Sequence, residues 1–232
     1  MTAPAAVSES LAVNTARIVP DRSGAALVEP CGTLLVADLH FEKGSGLAAR
    51  GSLLPPYDTR ATLARLADAI ARLKPARVVA LGDSFHDLGA DGRIHEDDAR
   101  TLADLVASVA DWVWIEGNHD PAPPPRFGGR IVAELETGPL VLRHEPRPGP
   151  QAGEIAGHLH PCAKVRGRGR AVRRRCFVTD GDRLILPAFG AFAGGLNIRD
   201  AAYDGLFARA PEAWMIGADR VYRVPARRCV GD

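Results

Sequence analysis

The chain has 232 residues, 46% of them hydrophobic and 25% charged, with a formal net charge of +1. That composition supports a sizeable core and excludes a disordered chain, or one that holds polyanions by bulk charge alone. Four scattered cysteines, Cys31, Cys162, Cys176 and Cys229, form no C-x-x-C pair, which argues against a zinc knuckle or a disulfide framework and for reduced thiols in a cytoplasmic protein.

Residues 1–20 read as a loosely ordered lead-in, with 21–232 as one domain. The lead-in lacks a basic stretch and an apolar core, so a secretory signal is not expected. Nowhere does an apolar run approach the roughly 20 residues of a membrane span. GAALV (24–28) and TLLVA (33–37) predict strands around a turn near Pro30–Gly32. Leu63, Leu66, Ile70 and Leu73 recur at helical spacing over 57–73, and Lys74-Pro75 ends that helix. RVVAL (77–81) predicts a buried strand, 95–109 a second helix and DWVWIE (111–116) a further strand.

The second half changes character. RIVAEL (130–135) and PLVLR (139–143) predict a hairpin around Thr137-Gly138, and EIAGH (154–158) another strand. Residues 163–187 predict strands broken by Gly167, Gly169 and Asp180-Gly181-Asp182. Trp214 and Met215 predict a last core strand. The order is therefore α/β units first and mostly β-structure after them.

Five short segments each follow a predicted strand: Asp38-Leu39-His40, Gly82-Asp83, Gly117-Asn118-His119-Asp120, His144 and Gly157-His158-Leu159-His160. Side chains at the carboxyl ends of neighbouring strands meet in one crevice. In an extended Asp-x-His or His-x-His, alternate side chains point the same way, so each pair would face one metal. Each segment alone is weak, since a turn residue or surface histidine explains it. The ordered set is not weak, because five of the seven histidines belong to it. Its chemistry is that of phosphate-ester hydrolysis. Two cations about 3.5–4 Å apart acidify water, hold the phosphate and neutralise charge developing in the transition state.

In that order and spacing, the segments resemble the signature of calcineurin-like binuclear metallophosphoesterases over residues 38–160. LVADLHFEKGS (35–45), GHLHPCAKVRGRGRAVRRRCF (157–177) and LPAFGAFAGGLN (186–197) resemble the bacterial DNA-ligase-associated branch. That branch is similar to manganese-dependent endonucleases encoded beside a helicase, a ligase and a nuclease. The resemblance implies an α/β fold, a four-layer αββα sandwich of two mixed β-sheets flanked by helices, with metals at the strand ends. It implies one metal on Asp38, His40, Asp83 and His160, and a second on Asp83, Asn118, His144 and His158, with Asp83 bridging. His119 would then assist at the scissile phosphate, and Asp120 would orient His119. Manganese comes from the resemblance alone; the nitrogen and oxygen donors themselves suit Mn, Fe or Zn equally. Association with that ligase, helicase and nuclease, and a homodimer, are further expectations, as is a DNA repair setting. Family members often carry Gly-Asp-x-x-Asp-Arg, whereas this chain has Gly82-Asp83-Ser84-Phe85-His86-Asp87-Leu88. That leaves a role for Asp87 open and makes His86 read as a solvated loop histidine.

The run KVRGRGRAVRRR (164–175) starts four residues after His160. Read as one strand, it places Arg166, Arg168 and Arg170 on one face. With Lys164 they form a strip suited to a nucleic-acid backbone. A solvated basic edge strand is the plainer alternative. Phe177, Phe189 and Phe192 read as core in preference to base-stacking groups. The leading expectation is a metal-dependent phosphodiesterase of single-stranded DNA. Hydrolysis of nucleotides or other small phosphate esters, and a non-catalytic scaffold, are the alternatives.

Overall fold

The computed structural model describes residues 9–52, 55, 57–167 and 169–232. The first sheet is built entirely from residues 11–132. β1 (Leu11–Val13), β2 (Ala16–Pro20), β3 (Ala26–Glu29) and β4 (Thr33–Val36) form an antiparallel meander. The helices α1 (Lys43–Ala49), α2 (Asp58–Leu73) and α3 (Glu96–Ala107) follow. β5 (Arg77–Leu81), β6 (Asp111–Ile115) and β7 (Arg130–Val132) continue the sheet in parallel from β4. Lys74, left-handed at φ 45°, ends α2 one residue before Pro75.

Side-chain alternation divides the sheet's two faces. Leu34, Val36, Val78, Ala80, Trp112 and Trp114 face the helices, where Leu63, Leu66, Leu102 and Val106 meet them. Leu35, Ala37, Val79, Leu81, Val113 and Ile115 face the other way, into a core shared with the second sheet.

That second sheet comprises β8 (Leu135–Thr137), β9 (Leu140–Leu142), β10 (Glu154–Ala156), β11 (Pro161–Gly167), β12 (Arg170–Thr179), β13 (Leu184–Ile185), β14 (Leu196–Asn197), β15 (Glu212–Ile216) and β16 (Val221–Pro225). The order is β14-β11-β12-β13-β10-β9-β8, with β15 also on β12 and β16 beyond it. Leu142, Ile155, Phe177, Leu184 and Trp214 complete the shared core. Met215, Cys176, Val178 and Ala213 face outward. Two mixed sheets thus stack as expected, with α1–α3 over one of them. Over the other, single 3-10 turns at Ala201–Tyr203 and Ala226–Arg228 take the place of long helices and bury Tyr203 and Ala226 on the sheet.

Three expectations need correction. The lead-in is ordered from Leu11 onward, because Leu11, Val13 and Ile18 are buried in the shared core; residues 1–8 lie outside the described part. RIVAEL is not one strand. Val132 fills the shared core from the first sheet and Leu135 fills it from the second, so the chain must change sheets between them. Third, the basic run is a hairpin, β11 and β12 pairing antiparallel up to Gly167 and Arg170, with Gly169 at φ 73°. No helix among the described residues is long and apolar enough to cross a membrane.

Arg183 clamps the second sheet. Its side chain is 1% exposed, with Nε 2.9 Å from Glu154 Oε1 and its two terminal nitrogens donating to the carbonyls of Leu206 and Arg147. Removing Arg183 leaves the buried Glu154 carboxylate with only Arg143, 3.6 Å away, as an ion-pair partner. Arg183→Ala should lower the unfolding free energy by about 3–5 kcal/mol in urea titration.

Candidate metal centre

The two sheets are stitched together where the site begins. Ala37, just past β4, bridges Ala188 in parallel, and the amides of Phe189 and Gly190 donate to the carbonyls of Ala37 and Asp38. On the other side, the amides of Asp38, His40 and Phe41 donate to the carbonyls of Gly82, Asp83 and Ser84. The loops after β4 and β5 are therefore zipped to each other beyond the sheet.

The chain is not extended there. Asp38, His40, Asp83, His158 and His160 all adopt left-handed φ angles, between 45° and 67°. Each such residue costs about 1–2 kcal/mol, a strain that clusters at functional sites. This overturns the expectation that pleating aims each pair at one metal. Asp38 and His40 do converge, but His158 and His160 go to different groups.

Two groups result. His160 Nε2 lies 3.2 Å from His40 Nε2 and 3.3 Å from Asp38 Oδ1. In the second, His144 Nε2 lies 2.9 Å from Asn118 Oδ1, 3.2 Å from His158 Nδ1 and 3.4 Å from Asp83 Oδ1. Asp83 joins the two, because its other oxygen is 3.9 Å from His40 Nε2. Asn118 and His158 are themselves 3.0 Å apart.

The donor set fits divalent cations. Asp38, Asp83 and Asn118 present oxygens, and the histidines can present lone pairs toward the same two points. The His144 Nδ1–H donates to the Leu81 carbonyl at 2.9 Å, which turns Nε2 inward toward Asp83. Electrostatics agree. Burial opposes charge on His144, but its hydrogen bond to Asp83 and the charges of Asp38 and Asp83 outweigh this and raise its pKa to about 9. Burial dominates at His40 and holds it near 3, despite the pull of Asp38. Burial raises the Asp83 pKa, yet the His144 hydrogen bond overcomes it and leaves Asp83 at about 2. The crevice thus draws positive charge toward Asp83.

His119 stands beside the groups. Its amide donates to Asp83 Oδ1 at 2.9 Å, and its ring Nδ1 lies 2.9 Å from the His86 carbonyl. That fixes the tautomer and leaves Nε2 facing the crevice, 3.9 Å from Asp83 Oδ2, on a side chain 43% exposed. Asp120 does not orient it. Asp120 is buried and accepts the Phe85 amide at 3.0 Å, because it lies beneath the loop after β5.

His86 is likewise not solvated. It is 7% exposed and stacks on His119, with ring centroids 5.5 Å apart and planes 19° apart. Its neighbour Asp87 pairs with Arg93 at 2.7 Å and closes that loop. Neither contact could be foreseen from spacing.

The basic strip is rearranged by the hairpin. Lys164 and Arg166 share one face of β11, whereas Arg170 lies across the turn on β12, opposite Gly167 and on the other face. Arg168 lies outside the described residues. Lys164 Nζ is 3.9 Å from Asp232, so part of its charge is already answered. Phe177 and Phe189 are core, as expected.

Burial raises the Asp120 pKa to about 7, against the Phe85 amide, so its structural task does not require a charge. Asp120→Ala should cost about 1–3 kcal/mol by leaving a buried amide unpaired, and Asp120→Asn should restore most of it, both read by urea titration.

The calcineurin-like phosphoesterase family model matches residues 33–181, which contain every residue of both groups and His119. Among solved structures the chain is similar to the Pseudomonas putida nuclease MPE, with 29% identity over 93% of this chain and 99% of that one, at a TM-score of 0.73. It is also similar to Yfce, a phosphoesterase from E. coli, with 14% identity over 84% and 98% of the two chains and a TM-score of 0.39. No curated protein matches the sequence. Since the family match spans well over half of the chain, and the two metal-holding groups sit within it, the chain belongs to the calcineurin-like phosphoesterase family and is a metal-dependent phosphoesterase.

Proposed function

We propose that the chain is a two-metal nuclease that cuts phosphodiester bonds in single-stranded DNA, in a DNA repair setting. The observation that carries the chemistry is the pair of donor groups joined at Asp83, with His119 Nε2 beside them. Similarity to a protein described as a nuclease favours a polynucleotide over a small ester.

Asp38, His40, His160 and Asp83 would hold one divalent cation, and Asp83, Asn118, His144 and His158 the other. Cations held there would supply Lewis-acid chemistry, polarising a phosphoryl oxygen and acidifying water. Manganese is the cation we propose, on a donor set free of thiolates. The chain's own residues do the rest. Asp83 sets the spacing of the two groups and, by accepting the His119 amide, fixes the catalytic histidine relative to them. The His86 carbonyl keeps the Nδ1 proton in place, so the imidazolium form of His119 can pass its Nε2 proton to the departing deoxyribose oxygen and remain as the neutral ring. The exposed edge of His119 lets a strand reach it without a lid.

Metal-stripped protein should cut labelled single-stranded DNA and a chromogenic phosphodiester only after Mn²⁺ is restored. Asp83→Ala should lose both tight metal binding and turnover. His119→Ala should keep its metal, measured by elemental analysis, and lose about 10²–10⁴-fold in kcat. DNA cleavage by metal-stripped protein, or undiminished cleavage by either variant, would falsify the mechanism. Cleavage of the small diester without DNA cleavage would leave the metal chemistry and remove the substrate.

A further inference from the structure

A second cationic feature lies outside the donor groups, where the end of the basic run at Arg173–Arg175 meets Arg22. β15 pairs with β12 only as far as Cys176, so the β12 edge from Arg175 back to Arg173 has no strand on that side. A groove of about 530 Å³ opens there, between Arg173, Arg174 and Arg175, the segment after Ile216, and Ala193–Gly195. Arg22, from the loop after β2, closes its far wall.

The charge in this groove is largely uncompensated. No acidic residue lines it. Arg173 is paired with Asp232 at 3.0 Å, but among the described residues Arg22, Arg174 and Arg175 have no carboxylate within ion-pair distance. Arg175 instead donates to the carbonyl of Ala188 at 2.8 Å, which fixes its guanidinium in place. Three arginines without carboxylate partners along one groove repel one another unless an anion joins them.

The floor offers further donors. Among the described residues, the amides of Gly194 and Gly195 donate to no protein acceptor. At Gly195 a Cβ would collide with the Cys162 sulfur and sit 3.0 Å from the His160 carbonyl, so only glycine lets this ribbon lie flat on β11. The same ribbon ties the groove to the metal centre. Gly190 at one end hydrogen-bonds the Asp38 carbonyl, and Leu196 at the other hydrogen-bonds the His160 carbonyl.

We infer that this groove is a phosphate-binding track for the polynucleotide, in which Arg22, Arg174 and Arg175, with the Gly194 and Gly195 amides, hold backbone phosphates that flank the bond being cut. The inference rests on the nuclease reading above. Guanidinium forks and free amides match phosphate oxygens and ignore base identity, so the track contributes affinity without sequence preference. A small diester does not reach it.

The test uses the metal-loaded enzyme and its Arg22→Ala/Arg174→Ala variant; Arg175 is left in place because it also supports Ala188. Both side chains are exposed, and thermal melting checks that the fold is kept. On a 20-nucleotide single strand, kcat/KM should fall on the order of tenfold through KM, with turnover of a chromogenic phosphodiester within about twofold of the parent. The slope of log kcat/KM against log salt should flatten by about 1.4, two contacts at 0.7 each. An unchanged KM and salt slope overturns the track while leaving the nuclease reading intact. The same loss from Lys164→Ala/Arg166→Ala, with none from the groove variant, places the strand on the hairpin and also overturns it. A parent that cuts the small diester but not DNA removes the nuclease reading, and the track with it.

Discussion

The carboxylate of Asp83 faces His144 with one oxygen and His40 with the other, while the first also receives the His119 amide. A single side chain of the first sheet thus fixes the separation of two donor groups and the position of the histidine beside them. Everything around it serves to hold that carboxylate still. Its backbone carbonyl accepts the His40 amide, its neighbours pair with the loop after β4, and Asp120 beneath it binds the next turn through Phe85. Displacement of Asp83 would disturb both groups at once, whereas loss of any one histidine touches a single group.

Left-handed conformations at five of the donor residues show how firmly the surroundings dictate this geometry. Isolated side chains of these types would relax to ordinary φ values. They are held because the loops are stitched to their neighbours: Asp38, His40 and Phe41 bond across to the β5 loop, and Phe189 and Gly190 bond back from the second sheet. Preorganisation of this kind means that the donors need not move to meet a cation.

Much of this was legible in the residues. β5 and β6 are short strands, apolar after their first residue, and their ends therefore locate Asp83 and Asn118 with little ambiguity. Periodicity gave α2 and α3 for the same reason. What remained hidden depends on contacts distant in sequence. The strand expected over 130–135 divides because two sheets compete for its apolar residues. His86 looks polar and loop-borne, yet the stacked ring of His119 buries it. Asp120 follows His119 directly but turns away to an amide 35 residues earlier in the chain. The arginine groove joins residue 22 to residues 173–175, and no local pattern could have brought them together.

The division of labour between the halves of the chain bears on how the protein is made. Asp38, His40, Asp83, Asn118 and His119 belong to the first sheet, whereas His144, His158 and His160 belong to the second. β10, which delivers His158, is held between β9 and β13, and β13 in turn rests on β12, whose other edge carries β15. The first sheet is complete at Val132, and β12 and β15 leave the ribosome after it. The early half carries the bridging carboxylate but only part of either donor group, so it cannot assemble the pair. Hydrolytic competence arrives with the late strands, and a nascent or truncated chain stays chemically silent.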